Sequence, residues 1–283
     1  MTMIWRSSFH ELDGCRVHCV SGGEGPPVLL VHGYGVSGAY MLPLGEALSR
    51  SFRVLVPDLP GSGKSDRPAQ TLGIGELAAL LDQLVDAHEM SKPITVANSF
   101  GCQIVAGLAV DRPDTLGPLV LVGPTVDPTR RSGRRQLFNA LRALTREPSS
   151  VILDSVRRTT AFDAPALAAT ARLILTDRIE ERLPSIRQPV VVVVGGRDAF
   201  VDAAWAQRVT DLLPDGRLVV VPGEPHAVHF TRPELIADLV ASLHIEEGMD
   251  RRRKLGGGLE HRHVTASEEH EPGLWNEPLP LLS

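Results

Sequence analysis

The chain has 283 residues, enough for one large α/β domain or two small ones, and 43% of them are hydrophobic, so a sizeable core can form. Its net charge of −5 gives no basis for nucleic-acid binding, and its longest apolar runs, such as residues 189–194, are too short to cross a bilayer. No basic stretch leads into an apolar one after Met1, so no secretory signal is predicted.

The three cysteines are predicted to remain unbridged. Cys15 and Cys19 would lie on one face of a strand about 13 Å apart, at about 3.3 Å per residue, which is too far for a disulfide. Cys102 lies far from both in the sequence. Reduced thiols and the missing signal together predict a cytoplasmic protein.

Short apolar runs alternate with helical patterns through the first half of the chain. Residues 10–20 are predicted to form two short strands around the turn Asp13-Gly14. Further strands are predicted at 27–31, 53–56, 93–97 and 119–122, and helices at 40–50, 74–87 and 103–110. Because parallel strands need helical crossovers, this alternation predicts a mostly parallel sheet with helices on both faces.

The second half of the chain begins with a segment of different composition. Residues 124–188 are rich in arginine, have helical apolar spacing and lack strand signals, which predicts a helical cap inserted after the sixth strand. Strands at 189–194 and 217–221 and helices at 203–213 and 233–243 then complete an eight-stranded sheet domain. The predicted domains are a core of residues 1–123 and 189–245, a cap of residues 124–188, and a polar, disordered tail of residues 246–283.

A turn of small residues separates the strand at 93–97 from the helix that follows it. The segment Ala97-Asn98-Ser99-Phe100-Gly101 is a variant of the G-x-S-x-G nucleophile elbow, in which a tight strand-to-helix turn exposes a serine hydroxyl. Serine is also a favoured helix N-cap, so the motif alone leaves two interpretations of Ser99, a nucleophile or a cap. The rest of the chain has to distinguish them.

Two further residues are predicted to reach the same sheet edge as Ser99. Asp198 follows the strand at 189–194, and His226 lies in the loop after the strand at 217–221. Because the carboxyl ends of parallel strands share an edge, a serine, an acid and a histidine would meet there. These are the residue types of a Ser-His-Asp triad.

In these motifs the chain resembles α/β-hydrolase-fold enzymes over about residues 9–244. The resemblance is carried by residues 32–35 (His-Gly-Tyr-Gly), 57–65, the elbow, 196–198, His226 and Pro233-Glu234, all in family order. It implies that Ser99 attacks a carbonyl carbon, that His226 is the general base and acid, that Asp198 orients it, and that the backbone N–H groups of Tyr34 and Phe100 bind the oxyanion. This sequence departs from the family in Ala97, where glycine is usual, and in Pro225, where glycine often precedes the histidine.

Rival residues exist for two of these roles. His229 competes with His226 as the base, but the family places the catalytic histidine seven residues before the proline that opens the last helix, which favours His226. Asp127, after the strand at 119–122, competes with Asp198 as the acid. The residues predicted to contact substrate are His32, Gly33, Asn98, Met41, Phe138 and His229, although core packing is an alternative for Met41 and Phe138.

Two other motifs imitate nucleotide sites. Residues 33–38 match G-x-G-x-x-G after a strand, with Asp58 twenty residues further on, as a dinucleotide site requires. Residues 61–65 resemble a phosphate-binding loop, but that motif needs glycine where Asp58 stands. A triad would have no role in a dehydrogenase, so the hydrolase interpretation is favoured and no cofactor is predicted.

The sequence therefore predicts a serine hydrolase that cleaves an ester of a small or medium carboxylic acid. Hydrolysis of a carbon–carbon bond in a vinylogous diketone is an alternative, because Asn98 resembles that subgroup and cap arginines (Arg130, Arg131, Arg134, Arg135) suit a carboxylate, although Ala227 replaces the aromatic residue often found there. A non-catalytic receptor for a small ligand is a third hypothesis. We expect a small-molecule substrate, a monomer or homodimer, and no metal, although His261 and His263 in the tail are potential weak ligands.

Overall fold

An eight-stranded sheet forms the centre of the molecule. The computed structural model describes residues 4–134, 139, 143 and 164–256. The strand order is β1-β2-β4-β3-β5-β6-β7-β8; β2 is antiparallel to β1 and β4, and all other neighbours are parallel. The strands are β1 (Arg6–Leu12), β2 (Cys15–Gly22), β3 (Pro27–Val31), β4 (Arg53–Pro57), β5 (Ile94–Asn98), β6 (Leu119–Val122), β7 (Val190–Gly195) and β8 (Gly216–Val221).

The central strands are buried on both faces, as continuous apolar runs predict for parallel strands covered by helices. Every residue of β5, β6 and β7 is buried. Their side chains alternate between two cores, so that Leu29 and Val31 enter one while Val28 and Leu30 enter the other. The predicted architecture, a mostly parallel eight-stranded sheet between helices, is therefore confirmed.

Helices cover the two faces of this sheet. The described helices are α1 (Leu42–Leu48), α2 (Ile74–Ala87), α3 (Phe100–Asp111), α4 (Ala164–Thr176), α5 (Ile179–Arg182), α6 (Ala203–Leu212), α7 (Val228–Thr231) and α8 (Pro233–Gly256), with short 3₁₀ turns at Gly38–Met41, Pro128–Arg130 and Leu183–Ser185. Side chains of α2, α3 and α6 pack on one face, and those of α1 and α8 pack on the other. Among the described residues, no helix has both the length and the apolar content needed to cross a bilayer.

Between β6 and β7 the described residues form only helices and turns, α4 and α5 among them. This agrees with a helical insertion after the sixth strand. The last helix, α8, is longer than predicted, since it continues to Gly256 instead of ending at residue 243. The prediction of an irregular chain directly after residue 245 is thus wrong for residues 246–256.

Candidate active site

Ser99 occupies a sharp turn between β5 and α3. Its backbone angles are φ 55° and ψ −117°, a region that residues with a side chain rarely adopt. The turn also depends on Gly101, because a β-carbon there would lie 2.8 Å from the carbonyl oxygens of both Val31 and His32. Small residues are therefore needed where α3 passes close to β3, as the elbow motif predicts.

The Ser99 hydroxyl does not act as a helix cap. Ser99 stands at the N-cap position of α3, yet its side chain makes no capping hydrogen bond. Phe100 is the first residue of α3, so its N–H belongs to the first turn of the helix, where amides have no partner within the helix and negative charge is stabilised. The alternative interpretation of Ser99 as a cap thus loses its support.

Asp198 and His226 meet beyond the carboxyl ends of β7 and β8. His226 Nδ1 lies 2.7 Å from Asp198 Oδ2, and the other carboxylate oxygen accepts hydrogen bonds from the backbone N–H groups of Phe200 (2.7 Å) and Val201 (3.0 Å). The Asp198 side chain is fully buried. With Nδ1 donating to this fixed carboxylate, the neutral imidazole keeps its Nε2 lone pair for accepting a proton.

Gly123, which the sequence did not single out, brings β6 against this pair. It follows β6 with φ +58°, and a β-carbon on it would lie 2.7 Å from both Cε1 and Nδ1 of His226. Its N–H donates to Val193 O at 2.8 Å, which ties it to β7. The imidazole thus rests directly on the backbone of Gly123, with the Phe200 ring 4.9 Å away between centroids.

The rival residues have different surroundings. His229 is completely buried in edge-to-face contact with Tyr40, and neither of its ring nitrogens has a hydrogen-bond partner in the described structure. Burial, and then the nearby His226, lower the pKa of His229 to about 3. Asp127 accepts from Thr129 N (2.9 Å) and pairs with Arg130 (3.2 Å). The structure therefore joins His226 with Asp198, and the roles of the two residues stay predictions.

The loop after β3 is braced by His32. Its Nδ1–H donates to Gly33 O at 2.7 Å, and its Nε2 accepts from Leu59 N–H at 2.9 Å. A β-carbon on Gly33 would lie 3.1 Å from Ser99 Cβ, so this loop runs beside the elbow. Both ring nitrogens of His32 are thereby engaged in shaping the loop that carries Tyr34.

A cavity of about 350 Å³ opens beside this loop. The Tyr34 hydroxyl donates to Leu167 O of α4 at 3.0 Å, which links the loop to the inserted helices, and burial raises the pKa of Tyr34. The lining includes the loop of residues 32–35, Phe100, residues 59–62 and 67–72, and one face of α4 from Pro165 to Thr170.

Three residues predicted to contact substrate do not line this cavity. Met41 and His229 have no exposed surface and pack in the core. Asn98 is 2% exposed, and its amide donates to Val122 O at 3.2 Å, so it joins β5 to β6. For these three the prediction is corrected: their side chains are used for packing and strand pairing. Phe138 lies outside the described residues.

Two of the cap arginines form ion pairs within the protein. Arg130 pairs with Asp127 and Asp202, and Arg131 pairs with Glu180 at 2.6 Å. Two of the four arginines that were candidates for binding a substrate carboxylate therefore have acidic partners, and Arg135 lies outside the described residues.

The carboxylate of Asp58, the acidic residue of the nucleotide-like motifs, is hydrogen-bonded to other groups of the protein. Its carboxylate accepts from Gly38 N (2.7 Å) and Lys64 N (2.9 Å) and contacts His18 Nδ1 at 2.8 Å. A ribose hydroxyl therefore has no free carboxylate here. His18 Nε2 in turn lies 2.8 Å from the Ser7 hydroxyl, so Ser7, His18 and Asp58 form a hydrogen-bonded Ser-His-Asp chain, which ties β1 and β2 to the loop after β4.

Comparison with known proteins identifies the family. The sequence pattern of the alpha/beta hydrolase family matches residues 28–239, which include both motif loops, the elbow, Asp198 and His226. The chain belongs to the alpha/beta hydrolase family. As a member of that family, it is a hydrolase.

Two individual relatives are each 29% identical to this hydrolase over the aligned residues. The polyketide synthase ThaQ of Burkholderia thailandensis is 29% identical over 274 residues, which cover 87% of this chain but only 13% of that much longer protein. The putative carbamate hydrolase RutD of Shigella flexneri serotype 5b is 29% identical over 252 residues, which cover 79% of this chain and 95% of the relative.

A solved structure supports the fold. That of E-2-(acetamidomethylene)succinate hydrolase superposes with a TM-score of 0.73 at 23% identity, covering 85% of this chain and 99% of that one.

Proposed function

We propose that this hydrolase cleaves carboxylic esters of small or medium acids through an acyl-enzyme formed on Ser99. The observation that carries the proposal is the buried Asp198–His226 pair, held at the same sheet edge as a serine on a strained strand-to-helix turn. A pair fixed by two backbone N–H groups keeps the imidazole in one tautomer, which is what a general base requires.

In the proposed reaction, Ser99 Oγ attacks the ester carbonyl carbon while His226 Nε2 takes the hydroxyl proton. The N–H groups of Tyr34 and Phe100 stabilise the negative oxygen, and removing one such donor typically costs about 10²–10³ in rate. His226 then gives its proton to the departing alcohol. Water attacks the acyl-enzyme, loses a proton to His226, and the acid leaves as the Ser99 hydroxyl is restored.

The cavity supports the proposed substrate size. Its volume of about 350 Å³ is at the lower end of the range typical of small-molecule sites. Phe100, Leu59 and Leu72 offer apolar surface, and the loop carrying Tyr34 forms one wall. An acyl group of modest length would fit between that loop and α4.

The proposal is tested by labelling with a fluorophosphonate and by turnover of p-nitrophenyl esters of increasing chain length. We expect one labelled serine and ester turnover in the wild type, and loss of both in Ser99→Ala. Ser7→Ala is the matched control, because Ser7 also contacts a histidine that is paired with an aspartate. Labelling that survives Ser99→Ala but disappears in Ser7→Ala would show that the nucleophile is misassigned.

The base is tested by comparing His226→Ala with His229→Leu. We expect the first to lose at least about 10³-fold in kcat, because Ser99 would have no proton acceptor, and the second to keep near-normal turnover. Normal turnover in His226→Ala would refute the assignment. Labelling of Ser99 without turnover of any ester would instead favour the carbon–carbon hydrolase or the receptor hypothesis.

A further inference from the structure

Three side chains of types that can ligate metals converge at the edge of the sheet that lies away from Asp198 and His226. They are His10 on β1, Cys19 on β2 and His88, the residue that follows α2. One ligand atom from each lies within 4.8 Å of the other two, and the two imidazole rings are 4.6 Å apart between centroids. Residues 10, 19 and 88 share no motif in the sequence, so only the folded chain reveals this group.

One of the three side chains has a buried nitrogen that is not hydrogen-bonded to any described residue. This nitrogen is Nε2 of His88.

We propose that His10, Cys19 and His88 bind a Zn²⁺ ion, with water as the fourth ligand. Two imidazoles and one thiolate form a borderline-soft donor set that suits Zn²⁺ and excludes Mg²⁺ and Ca²⁺, which require oxygen ligands. In a tetrahedral zinc site, neighbouring ligand atoms lie about 3.5 Å apart, so small side-chain rotations close the site. Binding replaces the proton on Cys19 Sγ with the metal bond and releases that proton to solvent.

The surroundings fit a bound ion. Ser8 Oγ lies 3.2 Å from His10 Nε2 and can orient that ring, as residues beyond the direct ligands do in metal sites. Arg53 holds the backbone beside the site, since its guanidinium donates to the His88 carbonyl oxygen at 3.2 Å. His10 and His88 are both half-buried, so the ion can enter from solvent while Cys19 stays fully buried.

The proposed ion would join the antiparallel edge of the sheet to the end of α2. Among the described strands, β1 pairs only with β2, so it is held less firmly than the central strands. An ion that links β1, β2 and the residue after α2 would fix this edge. We expect it to raise the unfolding temperature without changing ester turnover, which separates its test from that of the proposed function. This revises the expectation that the chain binds no metal.

The test is titration of the full, reduced chain with Co²⁺, followed by its thiolate-to-metal absorption band, and competition with Zn²⁺. We expect the band in the wild type and in Cys15→Ser, which changes another buried cysteine on the same face of β2, but not in Cys19→Ser. His88→Ala and His10→Ala should weaken binding by about tenfold or more. The double variant His261→Ala/His263→Ala should bind as the wild type does, because the tail histidines are not ligands.

Thermal unfolding with and without Zn²⁺ provides the second measurement. A rise in unfolding temperature that disappears in His88→Gln, a milder change than removal of the cysteine, supports the site even if Cys19→Ser folds poorly. No thiolate band in the wild type, a band that persists in Cys19→Ser, or binding lost only in the tail variant would each overturn the proposal.

Discussion

Ser99 combines reactivity with backbone strain at a single residue. Its φ of 55° costs on the order of 1–3 kcal/mol for a residue with a β-carbon, whereas glycine adopts such angles freely. We expect Ser99→Gly to be inactive but more stable than Ser99→Ala by about 1 kcal/mol, because Ala keeps the strain and glycine loses it at some cost in unfolded-chain entropy. Denaturant unfolding of the two variants measures the difference; equal stabilities would show that the turn is not strained.

Gly123 is the residue on which the His226 ring rests. We expect Gly123→Ala to lower kcat/KM by about 10²-fold, because the new methyl would lie 2.7 Å from the imidazole and displace it from its position. The matched control is Gly14→Ala, which has a similar positive φ (+75°) but meets nothing within 4 Å. Ester kinetics of the two variants separate the contact from backbone strain, and equal losses in both would contradict the proposed role.

The site residues that could be proposed from the sequence are those with reactive side chains. Ser99, Asp198 and His226 could be proposed from the sequence because each follows a recognisable strand and carries a reactive group. Gly123 was missed because its role is the lack of a side chain, which leaves no mark among the chain's many other glycines. The chain of Ser7, His18 and Asp58 was missed because its members meet only through strand pairing across β1 and β2.

At the scale of the elements, a hydrogen bond joins α4 to the loop that follows β3, and we expect it to affect substrate binding. Tyr34 contributes to this link through its hydroxyl, which donates to Leu167 O, whereas its proposed oxyanion role uses the backbone N–H. We expect Tyr34→Phe to raise KM several-fold with kcat nearly unchanged, because the wall of the cavity loosens while the N–H remains. Thr176→Val is the control, since it removes a hydroxyl that bonds within α4. An unchanged KM in Tyr34→Phe would show that this contact does not shape the cavity.

The elements themselves were predictable to different degrees. Strands such as β6 and β7 are apolar runs with no polar interruption, which only a covered strand or a buried helix can accommodate, so their positions were found. The end of α8 was not found, because residues 246–256 lack apolar periodicity and such a charged sequence is equally compatible with helix and coil. The prediction that Asn98 and Met41 contact substrate was wrong, because a motif does not reveal which way a neighbouring side chain points.

At the scale of the whole molecule, the proposed catalytic residues and the proposed zinc ligands lie on opposite sides of the sheet. Ser99, Asp198 and His226 follow the carboxyl ends of parallel strands. The antiparallel strands β1 and β2 lie on the far side of the sheet, and they carry two of the proposed zinc ligands as well as Ser7 and His18. Changes on the far side should therefore alter stability, and changes near β7 and β8 should alter turnover.

The buried His229 makes the stability of the whole molecule depend on pH. Its pKa of about 3 lies below the value near 6.5 of an unfolded histidine, so as the pH falls below about 6.5 the unfolded chain takes up a proton that the folded chain refuses. Its contribution to stability is complete above pH 6.5 and is lost progressively down to about pH 3, to an extent on the order of 5 kcal/mol.

His229→Leu removes this dependence. At pH 7 we expect the variant to be as stable as the wild type or more so, because neither ring nitrogen has a partner to lose in the described structure and leucine has a similar volume. At pH 5 the variant should exceed the wild type by a further 2 kcal/mol or so, since only the wild type loses stability to this proton uptake. Urea unfolding of both proteins at pH 7 and pH 5 gives the comparison. Parallel losses of stability would mean that His229 is protonated in the folded state, and its burial could not then be the cause of acid sensitivity.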